Sequence, residues 1–150
     1  EGLQARGKEF GSTTGRARRC GWFDGVVARY ATKVNGLTSL AVTKLDVLDG
    51  CKELKVCTGY RYQGKLYRDM PADLQALTDC EPLYKTFKGW SGTTTGASTY
   101  KQLPAEAKRY LEFLEDISEC PIDMISTGSK RSETIILRNP LKTARSRGKR

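Results

Sequence analysis

The spacing of apolar positions along the chain predicts two helices. Apolar side chains recur at helical intervals over 23–34, and the pair Asn35-Gly36 that follows is a typical helix stop. A second amphipathic pattern covers 103–119, where Pro104 is suited to the first turn. The apolar stripe of this second helix consists of Tyr110, Leu111, Leu114 and Ile117.

Short clusters of β-forming residues predict strands between these helices and after the second one. The predicted strands cover 39–43, 53–62, 65–67, 82–87, 121–126 and 133–138. The run Leu40-Ala41-Val42 has no polar alternation, so we expect it to be buried on both faces. The segment 133–138 is either a third core strand or an edge strand, and the Gln63-Gly64 turn predicts an antiparallel hairpin. This mixed order predicts an α/β fold.

Two polar loops follow the predicted buried strands at 39–43 and 121–126. In open α/β sheets, ligands bind beyond the carboxyl ends of the strands, so these loops are the first candidates for a site. The first loop carries Lys44, Leu45 and Asp46. An Asp side chain in this place can accept both the ring N1–H and the exocyclic amine of guanine, a donor pair that adenine lacks. The alternative is an ordinary ion pair at the end of a strand.

The second loop carries Ser126, Thr127 and Gly128. The two hydroxyls, and backbone N–H groups near Gly128, are suited to hydrogen-bond a base carbonyl oxygen. The alternative is a simple turn in which the glycine supplies a positive φ. Taken with the Lys-x-Asp loop, this segment predicts two readers of a purine edge lying side by side.

The segment 11–19, GSTTGRARR, is the third candidate because it combines hydroxyls, glycines and arginines without a carboxylate. Thr13 and Thr14 offer hydroxyl donors, Gly15 permits a close approach of the backbone, and Arg16 and Arg18 offer forked donors for carboxylate or phosphate. The alternative is a solvated basic loop. We interpret the order Thr-Thr-Gly-Arg as a built anion site.

Composition narrows the classes of function. The net charge is +9, so anionic partners are expected. The chain has no histidine, which excludes a Ser–His or Cys–His nucleophile within it. The odd number of cysteines, five, and their spacing favour reduced thiols in a cytoplasmic protein over zinc ligands or disulfides. No membrane span or signal peptide is predicted, and the basic tail at 139–150 is expected to be disordered.

Five blocks of the sequence, in order, resemble the C-terminal third of the adenylosuccinate synthetase family. They are GKEFGSTTGRARRCGWFD, NGLTSLAVTKLDVLDG, LYKTFKGW, LPAEAKRYLEFLED and CPIDMISTGSKRSETIILR. The resemblance covers about 7–138, so 1–138 is expected to form the C-terminal segment of the enzyme. It implies part of a mixed sheet similar to that of P-loop NTPases. One departure is Ser129, where the family commonly has proline.

The resemblance also implies an activity and roles for the three loops. The family joins IMP and L-aspartate while cleaving GTP, with Mg²⁺. The residues expected to bind aspartate and IMP are Ser12, Thr13, Thr14, Gly15, Arg16, Ala17 and Arg18. The residues expected to bind GTP are Arg18, Lys44, Leu45, Asp46, Ser126, Thr127 and Gly128.

The same resemblance implies that the catalytic groups lie elsewhere. The phosphate loop, the base and metal-binding aspartate and the catalytic histidine of the family belong to its N-terminal part, so no catalytic or metal-binding residue is expected here. The chain is therefore predicted to be part of a longer polypeptide, inactive alone, and a homodimer in the complete enzyme. The alternatives are a basic nucleic-acid-binding module, which the loop position of the arginines disfavours, and a guanine-nucleotide-binding protein without chemistry.

Overall fold

The computed structural model describes residues 2–139, so all of the predicted basic tail except Asn139 lies outside the described residues. The helices are α1 (Gly2–Gly7), α2 (Gly25–Asn35), α3 (Leu74–Asp79) and α4 (Ala105–Ser118). The strands are β1 (Phe23–Asp24), β2 (Leu40–Val42), β3 (Glu53–Tyr62), β4 (Lys65–Tyr67), β5 (Glu81–Lys88), β6 (Ile122–Ser126) and β7 (Thr134–Ile136). Short 3-10 helices cover Leu45–Leu48, Tyr100–Gln102 and Arg131–Glu133. The predicted α/β class is confirmed.

The larger of the two sheets is built around the long strand β3. Strand β5 pairs antiparallel with nearly its whole length, from Glu53 opposite Lys88 to Arg61 opposite Glu81. The remaining edge of β3 pairs with β1 in parallel and with β4 in the predicted antiparallel hairpin. The sheet therefore contains both parallel and antiparallel pairs.

The smaller sheet carries both of the predicted strand-end loops. Strands β2 and β6 run parallel, with Val42 opposite Ile125, and β7 pairs antiparallel with β6. Within the described residues β7 is thus an edge strand, as one of the two interpretations predicted. Because β2 and β6 are parallel neighbours, the loops that follow them leave the sheet at the same end.

Helix α4 packs into a hydrophobic core to which residues of both sheets contribute. Of its predicted stripe, Tyr110, Leu111 and Leu114 are at most 5% exposed, and Ile117 is partly buried. Their neighbours include apolar side chains of both sheets, among them Val56 of β3. Full burial of one large aliphatic side chain is worth about 1.5–3 kcal/mol. This shared core is what fixes the smaller sheet, and hence its loops, against the larger one.

The start of helix α2 differs from the prediction. Phe23 belongs to β1 rather than to the helix, because Phe23 and Asp24 pair with Val56 and Cys57. Asp24 then caps the helix, and its carboxylate accepts the N–H groups of Val26 and Val27 at 3.0 and 3.1 Å. The predicted stop is confirmed, since the helix ends at Asn35 and the next residue is left-handed.

The prediction that β2 is buried on both faces is wrong. Ala41 is exposed, and Leu40 and Val42 are only half-buried. The reason is that β2 is the edge strand of the described sheet and borders an open cleft of about 470 Å³. Apolar composition alone cannot distinguish a central strand from an edge strand beside such a cleft.

Candidate functional site

The two strand-end loops touch each other, as predicted. The backbone N–H of Lys44 donates a hydrogen bond of 2.8 Å to the hydroxyl oxygen of Ser126. This contact joins residues that are 82 positions apart in the sequence. It follows directly from the parallel pairing of β2 with β6, which brings the two loops to one end of the sheet.

The Lys-Leu-Asp segment is held in an unusual local conformation. Lys44 has a left-handed backbone with φ 60°, and the next residues form the 3-10 helix that begins at Leu45. The Leu45 side chain is 1% exposed and anchors this turn in the core, so its expected contact with GTP is limited to backbone atoms. The two polar residues on either side are thereby fixed relative to the sheet.

Asp46 has a buried carboxylate oxygen, Oδ1, that the protein leaves without a hydrogen bond among the described residues. Leaving a buried acceptor unpaired costs about 1–3 kcal/mol, and more for a charged group. A ligand that brings N–H donors to this oxygen would remove that cost. Guanine, the ligand predicted from the sequence, carries two such donors, the ring N1–H and the exocyclic amine.

The Ser-Thr-Gly loop uses its threonine differently from the prediction. Thr127 is completely buried; its hydroxyl donates to the carbonyl oxygen of Ala97 at 2.8 Å and its N–H donates to that of Glu133 at 2.8 Å. Both donors are therefore committed to the protein. We expect Thr127 to shape the loop, whereas Ser126 stands next to the first loop.

Gly128 has no positive φ, so the simple-turn alternative is wrong on this point, and any larger residue here would force the Glu133 side chain to move. A Cβ at this position would come within 2.2 Å of Glu133 Oε2. The same carboxylate oxygen accepts the N–H of Lys130 at 2.8 Å. The loop is thus closed by a glutamate that packs against a residue without a side chain.

The arginine-rich segment forms an exposed hairpin. Phe10 pairs with Ala17, and the N–H of Gly11 donates to the carbonyl oxygen of Arg16 at 2.8 Å. Gly15 has φ 62° and its N–H donates back to the oxygen of Gly11 at 2.8 Å. The tip of the hairpin needs a glycine here because side chains rarely adopt that conformation.

The hairpin leaves several donors available. All residues of 12–19 are exposed. The side chains of Ser12, Thr13 and Arg16 have no hydrogen-bond or ion-pair partner within residues 2–139, while the Thr14 hydroxyl oxygen accepts the Arg16 N–H at 3.3 Å. A forked guanidinium beside hydroxyl donors is suited to a carboxylate ligand.

A carboxylate that the sequence interpretation missed connects the hairpin to the first loop. Glu9 Oε2 accepts a charged hydrogen bond from Arg18 Nη1 at 3.2 Å, and Glu9 Oε1 accepts one from Lys44 Nζ. The hydrogen bond from Lys44 lowers the pKa of Glu9, and Arg18 lowers it further against the effect of desolvation. Glu9 is therefore charged at neutral pH. No local sequence pattern predicts this contact, because the two partners of Glu9 lie 9 and 35 positions away from it.

A second carboxylate that the sequence interpretation missed is Asp49, which follows the 3-10 helix Leu45–Leu48 directly. It accepts hydrogen bonds from Trp90 Nε1 at 2.6 Å and from the N–H and hydroxyl of Thr94 at 2.7 and 2.8 Å. Burial alone would raise the pKa of Asp49, but these hydrogen bonds outweigh it and lower the pKa. They tie the polar loop at 89–102 to the end of the 3-10 helix that contains Asp46.

The described residues contain neither a membrane-spanning helix nor a metal-binding cluster. Within residues 2–139, no helix is long and apolar enough to cross a membrane. In the same range, no group of three His, Cys, Asp or Glu side chains is placed to hold a metal ion, so the described residues do not fit a magnesium site. All five cysteines are free thiols, of which Cys57 and Cys120 are buried.

Comparison with known proteins decides the family. The family model described as adenylosuccinate synthetase matches residues 1–135. The chain belongs to the adenylosuccinate synthetase family. Two bacterial relatives named adenylosuccinate synthetase, from Desulforamulus reducens and Carboxydothermus hydrogenoformans, are 53% and 55% identical to it over 137 residues. Each match covers 91% of this chain and 32% of the relative.

A solved structure shows the same fold. It is described as fully ligated adenylosuccinate synthetase from Plasmodium falciparum, and it matches with a TM-score of 0.84 and 32% identity over 91% of this chain. The match covers 33% of that structure, so the chain spans about a third of the length of the proteins that it resembles. The comparisons give no support to the alternative of a nucleic-acid-binding module.

Proposed function

We propose that this chain supplies the guanine-binding and aspartate-binding loops of an adenylosuccinate synthetase. In that enzyme, a ligase of purine biosynthesis, IMP and L-aspartate are joined while GTP is cleaved. The proposal includes a complete enzyme that is cytoplasmic and homodimeric. Family membership supports the reaction, and the geometry of the three loops supports the division of roles among them.

One observation carries the guanine assignment. Lys44 and Ser126 are hydrogen-bonded neighbours, and two residues beyond Lys44 the buried Oδ1 of Asp46 has no partner among the described residues. A carboxylate in this position accepts the N1–H and the 2-amino group of guanine. The long Lys44 stem is suited to cover a base face, and the backbone near Gly128 is suited to meet the O6 carbonyl.

The exposed hairpin is the place for the aspartate substrate. The guanidinium of Arg16, which has no partner within residues 2–139, and the hydroxyls of Thr13 and Thr14 match a carboxylate in charge and in donor geometry. Arg18 is placed differently, because Glu9 holds it toward Lys44 and thus toward the guanine site. We therefore assign Arg16 to the aspartate and IMP side and Arg18 to the GTP side.

We assign the chemical steps to parts of the complete enzyme outside this chain. Phosphoryl transfer to IMP requires a base, in-line positioning and charge neutralisation by metal ions. The chain has no histidine, and its described residues do not fit a metal site, so we assign it no catalytic residue and no step through Mg²⁺. Its contribution is to bind and orient GTP and aspartate.

The test is the choice of nucleotide by the complete enzyme that carries this segment. Adenylosuccinate formation from IMP and aspartate is compared with GTP, ITP and ATP as phosphoryl donors. We expect the order GTP, ITP, ATP in kcat/KM, since ITP keeps N1–H but lacks the 2-amino group, and ATP lacks both donors.

Equal use of the three nucleotides contradicts the guanine assignment. The isolated chain is the second arm of the test. It is expected to release no phosphate above the blank from GTP, IMP and aspartate. Release by a preparation shown to lack the full-length enzyme would contradict the assignment of catalysis to other residues.

A further inference from the structure

We infer that Glu9 is a positioning residue that couples the aspartate loop to the guanine loop, so that each substrate strengthens the binding of the other. The inference rests on the proposed function, because it concerns the same two loops. It adds a residue and a regulatory link that the assignment of ligands to those loops does not contain.

The first step of the argument is that one carboxylate serves two cations from different loops. Oε2 of Glu9 binds Arg18 in the hairpin, and Oε1 binds Lys44 at the end of β2. The ammonium of Lys44 also donates to the carbonyl oxygen of Gly7 at 2.7 Å. The Lys44 side chain is therefore held to the segment that leads into the hairpin.

The second step is that the backbone of Glu9 is itself fixed. Its N–H donates to the carbonyl oxygen of Gln4 at 3.0 Å, and its carbonyl oxygen accepts the N–H of Arg18 at 2.9 Å. The Gln4 side chain also donates to the carbonyl oxygen of Arg18 at 2.8 Å. A displacement of the returning strand of the hairpin thus moves the Glu9 carboxylate, and through it Lys44.

The third step concerns exposure. The Glu9 side chain is 24% exposed, against 59% for Arg18 and 49% for Lys44. The carboxylate is therefore better shielded from solvent than either of the two cations that it binds. Exposed ion pairs contribute little net free energy, so these contacts can bias where the two cations stand while adding little to the stability of the fold.

The consequence is thermodynamic coupling. A ligand that orders the hairpin restricts the Arg18 side chain and with it the Glu9 carboxylate, and thereby lowers the entropic cost of placing Lys44 over a base. By linkage, a guanine nucleotide then favours aspartate by the same factor. Couplings of this kind range from about 5- to 150-fold, and the exposure of these pairs places the expected value near about fivefold.

The experiment measures GDP affinity in the complete enzyme, with IMP present, in the absence and in the presence of saturating aspartate. GDP has no γ-phosphate, so no turnover disturbs the equilibrium. In the unmodified enzyme, aspartate is expected to tighten GDP binding by about fivefold. In Glu9→Gln, which keeps the shape and removes the charge, the ratio is expected to fall to about one.

Two further variants separate positioning from a general loss of structure. Glu53→Gln makes the same charge change at the start of β3, outside both loops, and should keep the full ratio. Glu9→Asp keeps the charge but withdraws it by one methylene, and should show an intermediate ratio. In steady-state kinetics, Glu9→Gln should raise the KM values for aspartate and GTP together while kcat stays within about threefold.

The outcomes distinguish this inference from the proposed function. An unchanged aspartate effect in Glu9→Gln overturns the coupling role and leaves the guanine and aspartate assignments intact. The absence of any aspartate effect in the unmodified enzyme also overturns it. If the unmodified enzyme binds GDP no better than ADP, the guanine assignment itself fails. If Glu9→Gln does not fold, the intermediate ratio expected for Glu9→Asp decides the question.

Discussion

The substitution Asp46→Asn tests the guanine site most directly, because it replaces one oxygen atom by an NH2 group and removes one charge. The carboxylate presents two acceptors, and Oδ1 is buried without a partner among residues 2–139. Guanine presents two donors, N1–H and the 2-amino group. In the variant, an amide N–H must face one of these donors, so one hydrogen bond is lost and two donors oppose each other.

The magnitude follows from the strength of hydrogen bonds to charged groups, about 1.5–3 kcal/mol each. Since 1.4 kcal/mol is a factor of ten, GTP should lose about 10- to 150-fold in kcat/KM. ITP, which lacks the 2-amino group, should lose less. XTP carries a C2 carbonyl in place of that amino group, and this oxygen can accept the new amide N–H. The variant should therefore prefer XTP over GTP.

The assay is the initial rate of adenylosuccinate formation with each nucleotide at saturating IMP and aspartate. Asp49→Asn is the matched control: the same chemical change lies three residues away, but its carboxylate is bonded to Trp90 and Thr94 inside the protein. It should weaken the fold and leave the ratios among GTP, ITP and XTP unchanged. If Asp46→Asn leaves those ratios as they were, the guanine assignment is refuted.

Two other variants, and the pH dependence of Asp49→Asn, probe the neighbouring features of the site. Arg16→Leu removes a charged donor, so the KM for aspartate should rise by about tenfold or more in initial-rate kinetics, while the KM for GTP stays within about twofold. An effect confined to GTP would show that this loop does not bind aspartate. Gly128→Ala would place a Cβ 2.2 Å from Glu133 Oε2, so it should raise the KM for GTP and lower the Tm, whereas an unchanged KM would mean that the loop does not meet the base. Because the pKa of Asp49 is lowered in the fold, its contribution to stability is complete at neutral pH and is lost as the pH falls below about 4. In urea unfolding, Asp49→Asn should therefore cost about 1–3 kcal/mol at pH 7 and progressively less toward pH 3, and a deficit independent of pH would contradict the role of its charge.

Much of the fold could be predicted because its signals are local. The stripe of α4, the stop of α2 and the hairpin turn depend on neighbours within a few residues, and each prediction is confirmed. Strand β1 could not be predicted, since two residues form a strand only by pairing with Val56 and Cys57 some 33 positions away. Helices α1 and α3 were missed, although Asp73 before α3 is a capping signal that the sequence does contain.

In the candidate site, too, some features could be predicted from local sequence and others could not. The position of the two loops after strands β2 and β6 predicted that they would lie together, and the contact of Lys44 with Ser126 confirms it. The inward commitment of Thr127 and the bridge through Glu9 depend on tertiary contacts, which no pattern of neighbouring residues encodes. Residue type thus predicted which groups are present, and only the packing decides which of them remain free for a ligand.

The guanine loops and the hairpin at 11–19 are anchored differently, and this difference predicts that they differ in rigidity. The guanine loops continue a parallel strand pair, and the amides of Lys44 and Thr127 are bonded to Ser126 and Glu133. The hairpin at 11–19 is exposed, and its tip is held by its own short hydrogen bonds. Since amide exchange reports local opening, Lys44 and Thr127 should be strongly protected in the ligand-free complete enzyme and residues 12–16 weakly. Adding aspartate with IMP and GDP should then slow exchange in the hairpin far more than in the guanine loops. Equal protection of both regions before ligand addition would mean that the hairpin is as rigid as the sheet, and that aspartate binds to a site already formed.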